Sequence, residues 1–261
     1  MEKDKVQILG AYGTKAKGFG TSSFYLNEHT VIDAGNLLDS LEEKSAVIEN
    51  IYLTHSHLDH ILDIAYILDN YFTLRTKTLN IIGLRATLNA VKEHFLNDIL
   101  WPDFSKIKLD NSQNYVVNYV PIEFNKKYML SQNEYISAFE TDHTVQSCGY
   151  IYTKENKSLM ITSDTYSLKN VIALLDQHKD IKSLIVECSF PSDMEKLAKK
   201  SKHLTPKILF EQLNYLKRDD ILIYINHLKP YYVKKIMHEI EQYRVKYRIK
   251  VLKDKEFIHF C

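Results

Sequence analysis

The sequence predicts a four-layer α/β sandwich, with two sheets packed face to face and helices on both outer sides. Three observations point there. Short β-like runs alternate with helical ones along the chain. Strand pairs precede α/β units in both halves. No Ser/Gly-rich or Pro-rich linker divides the 261 residues, which hold 7 Gly and 5 Pro, so one domain over 1–261 is expected.

Residues 5–9, 22–26 and 30–33 read as early strands, and 50–54 is an apolar β run that stops at His55. From Asp59 to Tyr71, apolar side chains recur at Ile61, Ile64, Ala65 and Leu68, the spacing of one helix face. Residues 79–82 read as a strand and 86–96 as a helix. The stretch 101–133 is polar, irregular and carries several tyrosines, and no period assigns it. Strands follow at 135–141, 149–153 and 158–162, then a helix at 168–177 and a buried strand at 184–188. Thr205-Pro206 opens a helix to about 216, because Thr caps an orphan N–H and Pro suits the first helical position. A strand at 221–225, a helix at 232–243 and strands at 248–252 and 257–260 close the chain.

Charged residues make up 26% of the chain and balance to +1. No global field therefore draws the protein to nucleic acid or anionic lipid, although a local basic patch stays open. Hydrophobic residues, at 45%, suffice for a sizeable core. Cys148, Cys188 and Cys261 are odd in number and not closely spaced, a poor disulfide framework that fits a reducing compartment. The opening Met1-Glu-Lys-Asp-Lys-Val lacks the apolar stretch of a secretory signal, and no apolar run is long enough to span a bilayer. A cytoplasmic location is expected.

The strongest chemical signal is His55-Ser56-His57-Leu58-Asp59-His60, between a predicted strand end and a predicted helix start. In extended chain, residues two apart point the same way, so His55 and His57 can reach one metal. The chain then turns, and Asp59 and His60 can face a second. Imidazole and carboxylate suit zinc, manganese or iron. Such a density of donor side chains would be costly to pack without a metal or other polar partners. Two metals need further ligands. His143, Asp164 and His227 each stand where an apolar β run meets a polar turn, as His55 does.

The H-x-H-x-D-H motif, with His, Asp and His at later strand ends, resembles the metallo-β-lactamase superfamily. The resemblance implies a metallo-β-lactamase-like αββα sandwich and two divalent metal ions, of which zinc is the first expectation. It implies His55, His57 and His143 on one metal and Asp59, His60 and His227 on the other. Asp164 would bridge them, with a water or hydroxide between. Four further segments narrow the branch: Glu187-Cys188-Ser189-Phe190, His203-Leu204-Thr205-Pro206, Asn97-Asp98-Ile99-Leu100-Trp101-Pro102 and Asn226-His227-Leu228-Lys229-Pro230. They are similar to the class II cyclic-nucleotide phosphodiesterases, over roughly residues 22–230. There are two departures. Asp63 stands where the family usually has a small residue, often Gly. The run from His143 to Tyr150 departs from the family's Gly and paired Ser, and is also reminiscent of the tRNA 3′-processing RNase Z branch.

The reaction this implies is hydrolysis of a 3′,5′-cyclic nucleotide, cyclic AMP or cyclic GMP among them, to the 5′-monophosphate. The expected catalytic set is His203, Glu187 and Asp59. His203 is the candidate general acid, being just before a helix start, and Glu187 could hold its imidazole and favour the protonated form. A helix-capping or surface histidine and a buried structural carboxylate are the plain alternatives. Asp33 resembles the superfamily's early Asp-x-Gly turn and could orient a ligand histidine, or simply end a strand. Thr54 and Ser163 precede ligands and could hydrogen-bond them. Trp101 and the nearby tyrosines could stack on a base or pack in the core. Lys229 could contact phosphate. His29, His94, His178, His238 and His259 read as surface or packed histidines, and Cys148 and Cys188 as buried and inert.

Two other functions compete. A tRNA nuclease would use the same metals, but should carry a long basic arm or a positive face, and no Lys/Arg-rich insertion is apparent. A non-catalytic sensor module should have lost ligands, and all seven candidates are present. A homodimer is expected from base rates for such enzymes and from the aromatic segment 101–135.

Overall fold

The computed structural model describes residues 5–110 and 112–260. The opening Met1–Asp4, part of the charged start, and Cys261 lie outside the described residues. In chain order the first strands are β1 (Lys5–Gly10), β2 (Ser23–Asn27), β3 (Thr30–Ile32), β4 (Asn50–Tyr52), β5 (Leu79–Gly83) and β6 (Val117–Pro121). There follow β7 (Lys127–Ser131), β8 (Glu134–Glu140), β9 (Cys148–Lys154), β10 (Lys157–Ile161), β11 (Ile181–Glu187), β12 (Leu222–Asn226), β13 (Arg248–Val251) and β14 (Phe257–His259). One sheet runs β14-β1-β2-β3-β4-β5-β6 and the other β13-β12-β11-β10-β9-β8-β7. In the first, β3 to β6 are parallel; in the second, β10 to β13 are parallel, and the remaining pairs are antiparallel.

Alternation along the strands decides which side chains meet where, because neighbours point to opposite faces. In β3 and β4, Ile32 and Tyr52 face the second sheet, whereas Val31 and Ile51 face outward. The inner faces pack Val6, Ile8 and Phe24 against Tyr150, Tyr152 and Ile161. Outside the first sheet, Val31, Ile51 and Ile81 cluster with Ile61, Ile64 and Leu68 of α2 (Leu58–Tyr71), which follows the short α1 (Leu38–Leu41), and with Leu88 and Val91 of α3 (Arg85–His94). The second sheet is covered by α4 (Lys169–Gln177), α6 (Pro206–Leu213) and α7 (Val233–Glu241), with α5 (Glu195–Ser201) leading into α6. The architecture is the expected α/β sandwich.

The sequence placed most of these elements within a few residues. It left 101–133 unassigned, and β6 and β7 lie there. Both are edge strands, and β7 alternates exposed with half-buried residues, so little apolar signal marks it. Helices α1 and α5 are too short to show a period.

Candidate metal centre

The chain passes from β4 through Leu53 and Thr54 to His55. His57 is still extended, at φ −68° and ψ 148°, and α2 begins at Leu58. Asp59 and His60 therefore sit in the first helical turn. The loop at Asp33 docks onto that turn, with the Ala34 N–H donating to the His60 carbonyl at 2.7 Å. Gly35 is required there, because a Cβ on it would lie 2.0 Å from the Asp59 carbonyl oxygen. Asp33, Ser163 and His227 all leave their strands with positive φ, at 56°, 57° and 61°. Non-glycine residues adopt that conformation at some cost, and here it turns each segment at the strand end that carries the site.

All seven expected ligands converge on this edge. His55, His57, His143 and Asp164 bring donor atoms within 4.8 Å of one another, and so do Asp59, His60 and His227. Asp164 stands between the groups. Its Oδ2 is 3.6 Å from His55 Nε2 and 3.7 Å from His143 Nε2. Its Oδ1 is 3.6 Å from His60 Nε2 and 3.1 Å from His227 Nε2. His57 Nδ1 lies 3.2 Å from His143 Nε2, and Asp59 Oδ2 lies 3.4 Å from His227 Nε2.

The outward ring nitrogens are held by the protein. His60 Nδ1 is 2.7 Å from Asp33 Oδ2, and His143 Nδ1 is 3.1 Å from the Lys202 carbonyl. Both partners accept, so each Nδ1 carries a proton and Nε2 is the ring nitrogen left facing the site. His55 Nδ1 meets the Thr54 hydroxyl at 3.1 Å; that hydroxyl bonds Asp33 and accepts from Ser163 at 2.9 Å. The orienting roles expected of Asp33, Thr54 and Ser163 thus have contacts to match.

His203 and Glu187 are also brought together: Nδ1 and Oε1 are 2.7 Å apart, and both residues are buried. The Glu187 carboxylate accepts further from the Thr165 and Leu204 N–H groups, at 3.1 and 3.2 Å. His203 stacks on His227 with centroids 5.4 Å apart, and one of its nitrogens lies within 4.8 Å of donor atoms of Asp164 and His227. It is not on the surface, and Thr205 rather than His203 caps α6.

Electrostatics follow from burial and charge. Burial, joined by the charge on His60, drives His55 well below the ordinary histidine range, and burial takes His143 down to about 4. Burial also opposes a charge on His60, but Asp164, Asp33 and Asp59 outweigh it and hold His60 well above that range. Asp164 is pulled far below the usual carboxylate value, because His227 and His60 overcome its burial. His55 Nε2 and Asp164 Oδ1 are buried yet have no hydrogen-bond partner. Such orphan atoms are costly, and a nitrogen–oxygen donor set fits a divalent cation. Two groups with Asp164 between them can accommodate one cation each.

Other readings resolve less dramatically. Trp101 packs edge-on against Tyr66 of α2, with centroids 5.8 Å apart, and belongs with the outer core of the first sheet. Lys229 Nζ donates to the Gly13 carbonyl. The five off-motif histidines are exposed, and Cys148 and Cys188 are free and buried. Two contributors escaped sequence reasoning. Gly13 passes so close to His227 that a Cβ would lie 2.6 Å from its Nδ1. Ser189 Oγ lies 2.9 Å from His227 Nδ1. Ser189 stood in a noted segment, but nothing local told of its contact with a residue 38 positions on.

Fold and site together define a sandwich with a metal-ready His/Asp centre, the metallo-β-lactamase architecture. A solved structure of that fold, YhfI from Bacillus subtilis, matches with a TM-score of 0.73 at 18% identity, covering 97% of this chain and 98% of that one. The chain belongs to the class II cAMP phosphodiesterases, whose family model matches residues 14–235. Unliganded yeast PDE1 superposes with a TM-score of 0.78 at 18% identity, covering 98% of this chain and 99% of that one. A 3′,5′-cyclic-nucleotide phosphodiesterase of Schizosaccharomyces pombe is 23% identical over 179 residues, which cover 64% of this chain and 50% of the relative. The matched stretches span half or less of the curated relatives' lengths.

Proposed function

We propose that this protein hydrolyses 3′,5′-cyclic nucleotides, of the cyclic AMP and cyclic GMP type, to 5′-monophosphates at a two-cation centre. The observation that carries this reading is the Asp164 carboxylate, whose two oxygens face two separate histidine groups. Family membership supplies the substrate class. His55, His57 and His143 would hold one cation, Asp59, His60 and His227 the other, and Asp164 both. Zinc is the first choice, and Mn²⁺ or Fe²⁺ also suit these donors. Two such cations make hydroxide available near neutral pH and offset charge on the phosphoryl oxygens.

The residues divide the remaining work. His203 keeps one proton on Nδ1 toward Glu187 and can present a second on Nε2 to the departing 3′-oxygen. As the P–O3′ bond breaks, that oxygen takes the His203 proton, while the oxygen of water joins phosphorus and the proton water gives up passes to solvent, from which His203 is recharged. Glu187, fixed by two backbone N–H groups, holds the imidazole in place and favours its charge.

One domain over 1–261 is part of the proposal, supported by β14, which returns to pair with β1. A cytoplasmic location is supported by the free, buried Cys148 and Cys188. A homodimer is supported by the exposed apolar pair Ile99 and Leu100 beside Trp101. Among the described residues, no helix is long and apolar enough to cross a membrane.

A turnover assay tests the function. The metal-replete protein and a His57→Ala control are offered cyclic AMP, GMP, CMP and UMP beside a 3′-extended tRNA precursor. Release of a 5′-mononucleotide, lost in the control, is the expected result and names the base. Cleavage of the tRNA alone overturns the substrate class and moves the activity to the RNase Z type.

A further inference from the structure

One buried hydroxyl touches both halves of the proposed machinery. Ser189 is fully buried, just beyond β11. Its Oγ lies 2.8 Å from Glu187 Oε2, 2.9 Å from His227 Nδ1, 3.1 Å from the His227 carbonyl and 3.2 Å from His203 Nδ1. A serine hydroxyl has one proton to give and two lone pairs to offer. Glu187 and the His227 carbonyl can only accept, so the Ser189 proton goes to one of them. In either case Oγ has no proton left for His227 Nδ1, and that nitrogen must be the donor. The ring of His227 is then fixed with its proton on Nδ1 and its lone pair on Nε2, aimed at Asp164 and Asp59. His203 needs no proton from Ser189, because its own Nδ1–H goes to Glu187 Oε1 at 2.7 Å.

We propose that Ser189 is a positioning residue that couples cation binding to proton donation: one hydroxyl sets the tautomer of His227 and lies against the carboxylate that orients His203. The chain His227–Ser189–Glu187–His203 links a ligand on one side to the proton donor on the other. A misplaced His227 ring and a loosened Glu187 are then a single defect. The proposal rests on the two-cation reading above.

The test is made on the full chain loaded with Zn²⁺, as wild type and as Ser189→Ala. In the wild type, nitrogen-15 NMR is expected to find His227 protonated at Nδ1, with slow proton exchange. In the variant, that proton exchanges faster, and one of two zinc ions binds about tenfold or more weakly while the other is retained. Turnover of a cyclic nucleotide falls through kcat, with KM within about threefold of wild type, because the substrate's binding contacts remain. A His227 that is unprotonated at Nδ1 in the wild type overturns the proposal, and this needs no variant to fold. So does a Ser189→Ala protein with wild-type zinc affinity and kcat. A wild type that takes up no zinc instead removes the two-cation reading itself.

Discussion

Asp33 Oδ2 lies 2.7 Å from His60 Nδ1, while the same carboxylate accepts from the backbone N–H and the hydroxyl of Thr54. A strand-end aspartate thereby fixes a histidine 27 residues later and braces the residue before His55. Both histidine groups depend on it, one directly and one through Thr54.

Replacing Asp33 by Asn is the sharp test of this brace. Asn tolerates the positive φ found here, so the backbone should survive. Its amide can reproduce a contact to His60 or to Thr54, but carries no charge. Affinity for a cation at the Asp59, His60 and His227 group should fall by about 10–100-fold. Isothermal titration of the metal-free protein measures this, and an affinity equal to wild type would show that Asp33 merely ends a strand.

How much of this was legible beforehand depended on how local each signal was. His55 to His60 could be read because the donors crowd one strand-to-helix junction. His143, Asp164 and His227 could be read because each follows an apolar β run. Ser189 could not: its meaning lies in His227, brought near only by the pairing of β11 with β12. Gly13 was invisible for the same reason, since its neighbour His227 is remote in sequence. The edge strands β6 and β7 bury most of their side chains only in part or not at all, and so lack the strong apolar contrast that marked their neighbours.

The pH dependence should report on His203. Burial opposes its charge, and the adjacent Glu187 carboxylate outweighs burial and raises its pKa above the usual 6.5. A proton donor must be charged to act, so kcat should decline on an alkaline limb as pH passes the raised value. Glu187→Gln removes the attraction and should move that limb to lower pH; His203→Ala should abolish it. The same shift stabilises the fold below the unfolded histidine's pKa, and that contribution fades as pH rises through the raised one. An alkaline limb unmoved in Glu187→Gln would separate the two residues.

Gly13→Ala should damage the site and strain the backbone beside it. The added Cβ would sit 2.6 Å from both Cε1 and Nδ1 of His227. The loop is also tied down, because the Ala11 and Gly20 N–H groups donate to Asp254 at 2.8 and 2.7 Å. The same Cβ would lie 2.7 Å from the His227 carbonyl oxygen, so the His227 backbone must yield along with its imidazole. A ligand displaced by an ångström lowers kcat/KM by about 100-fold. Zinc content and melting temperature, measured beside turnover, separate a shifted ligand from a lost fold.

The surroundings of Asp63 give it a job outside the reaction. It lies on the buried side of α2, where Oδ2 accepts from the Leu38 N–H at 2.8 Å and so caps α1 from a distance. Its Oδ1 is buried without a partner, and burial raises its pKa. Where Asp63 is ionised, the fold therefore bears the cost of a buried charge, offset in part by the Leu38 hydrogen bond. Asp63→Asn keeps an acceptor for Leu38 and drops the charge, so it should match or exceed wild-type stability at pH 7. Asp63→Ala leaves the Leu38 N–H orphaned and should cost about 1–2 kcal/mol. Because the folded pKa is raised, acidification through that value neutralises Asp63 and closes the gap between wild type and Asp63→Asn. Urea unfolding at pH 7 and near pH 4 reads both effects. A wild type more stable than Asp63→Asn at pH 7 would mean that the charge itself holds α1 against α2.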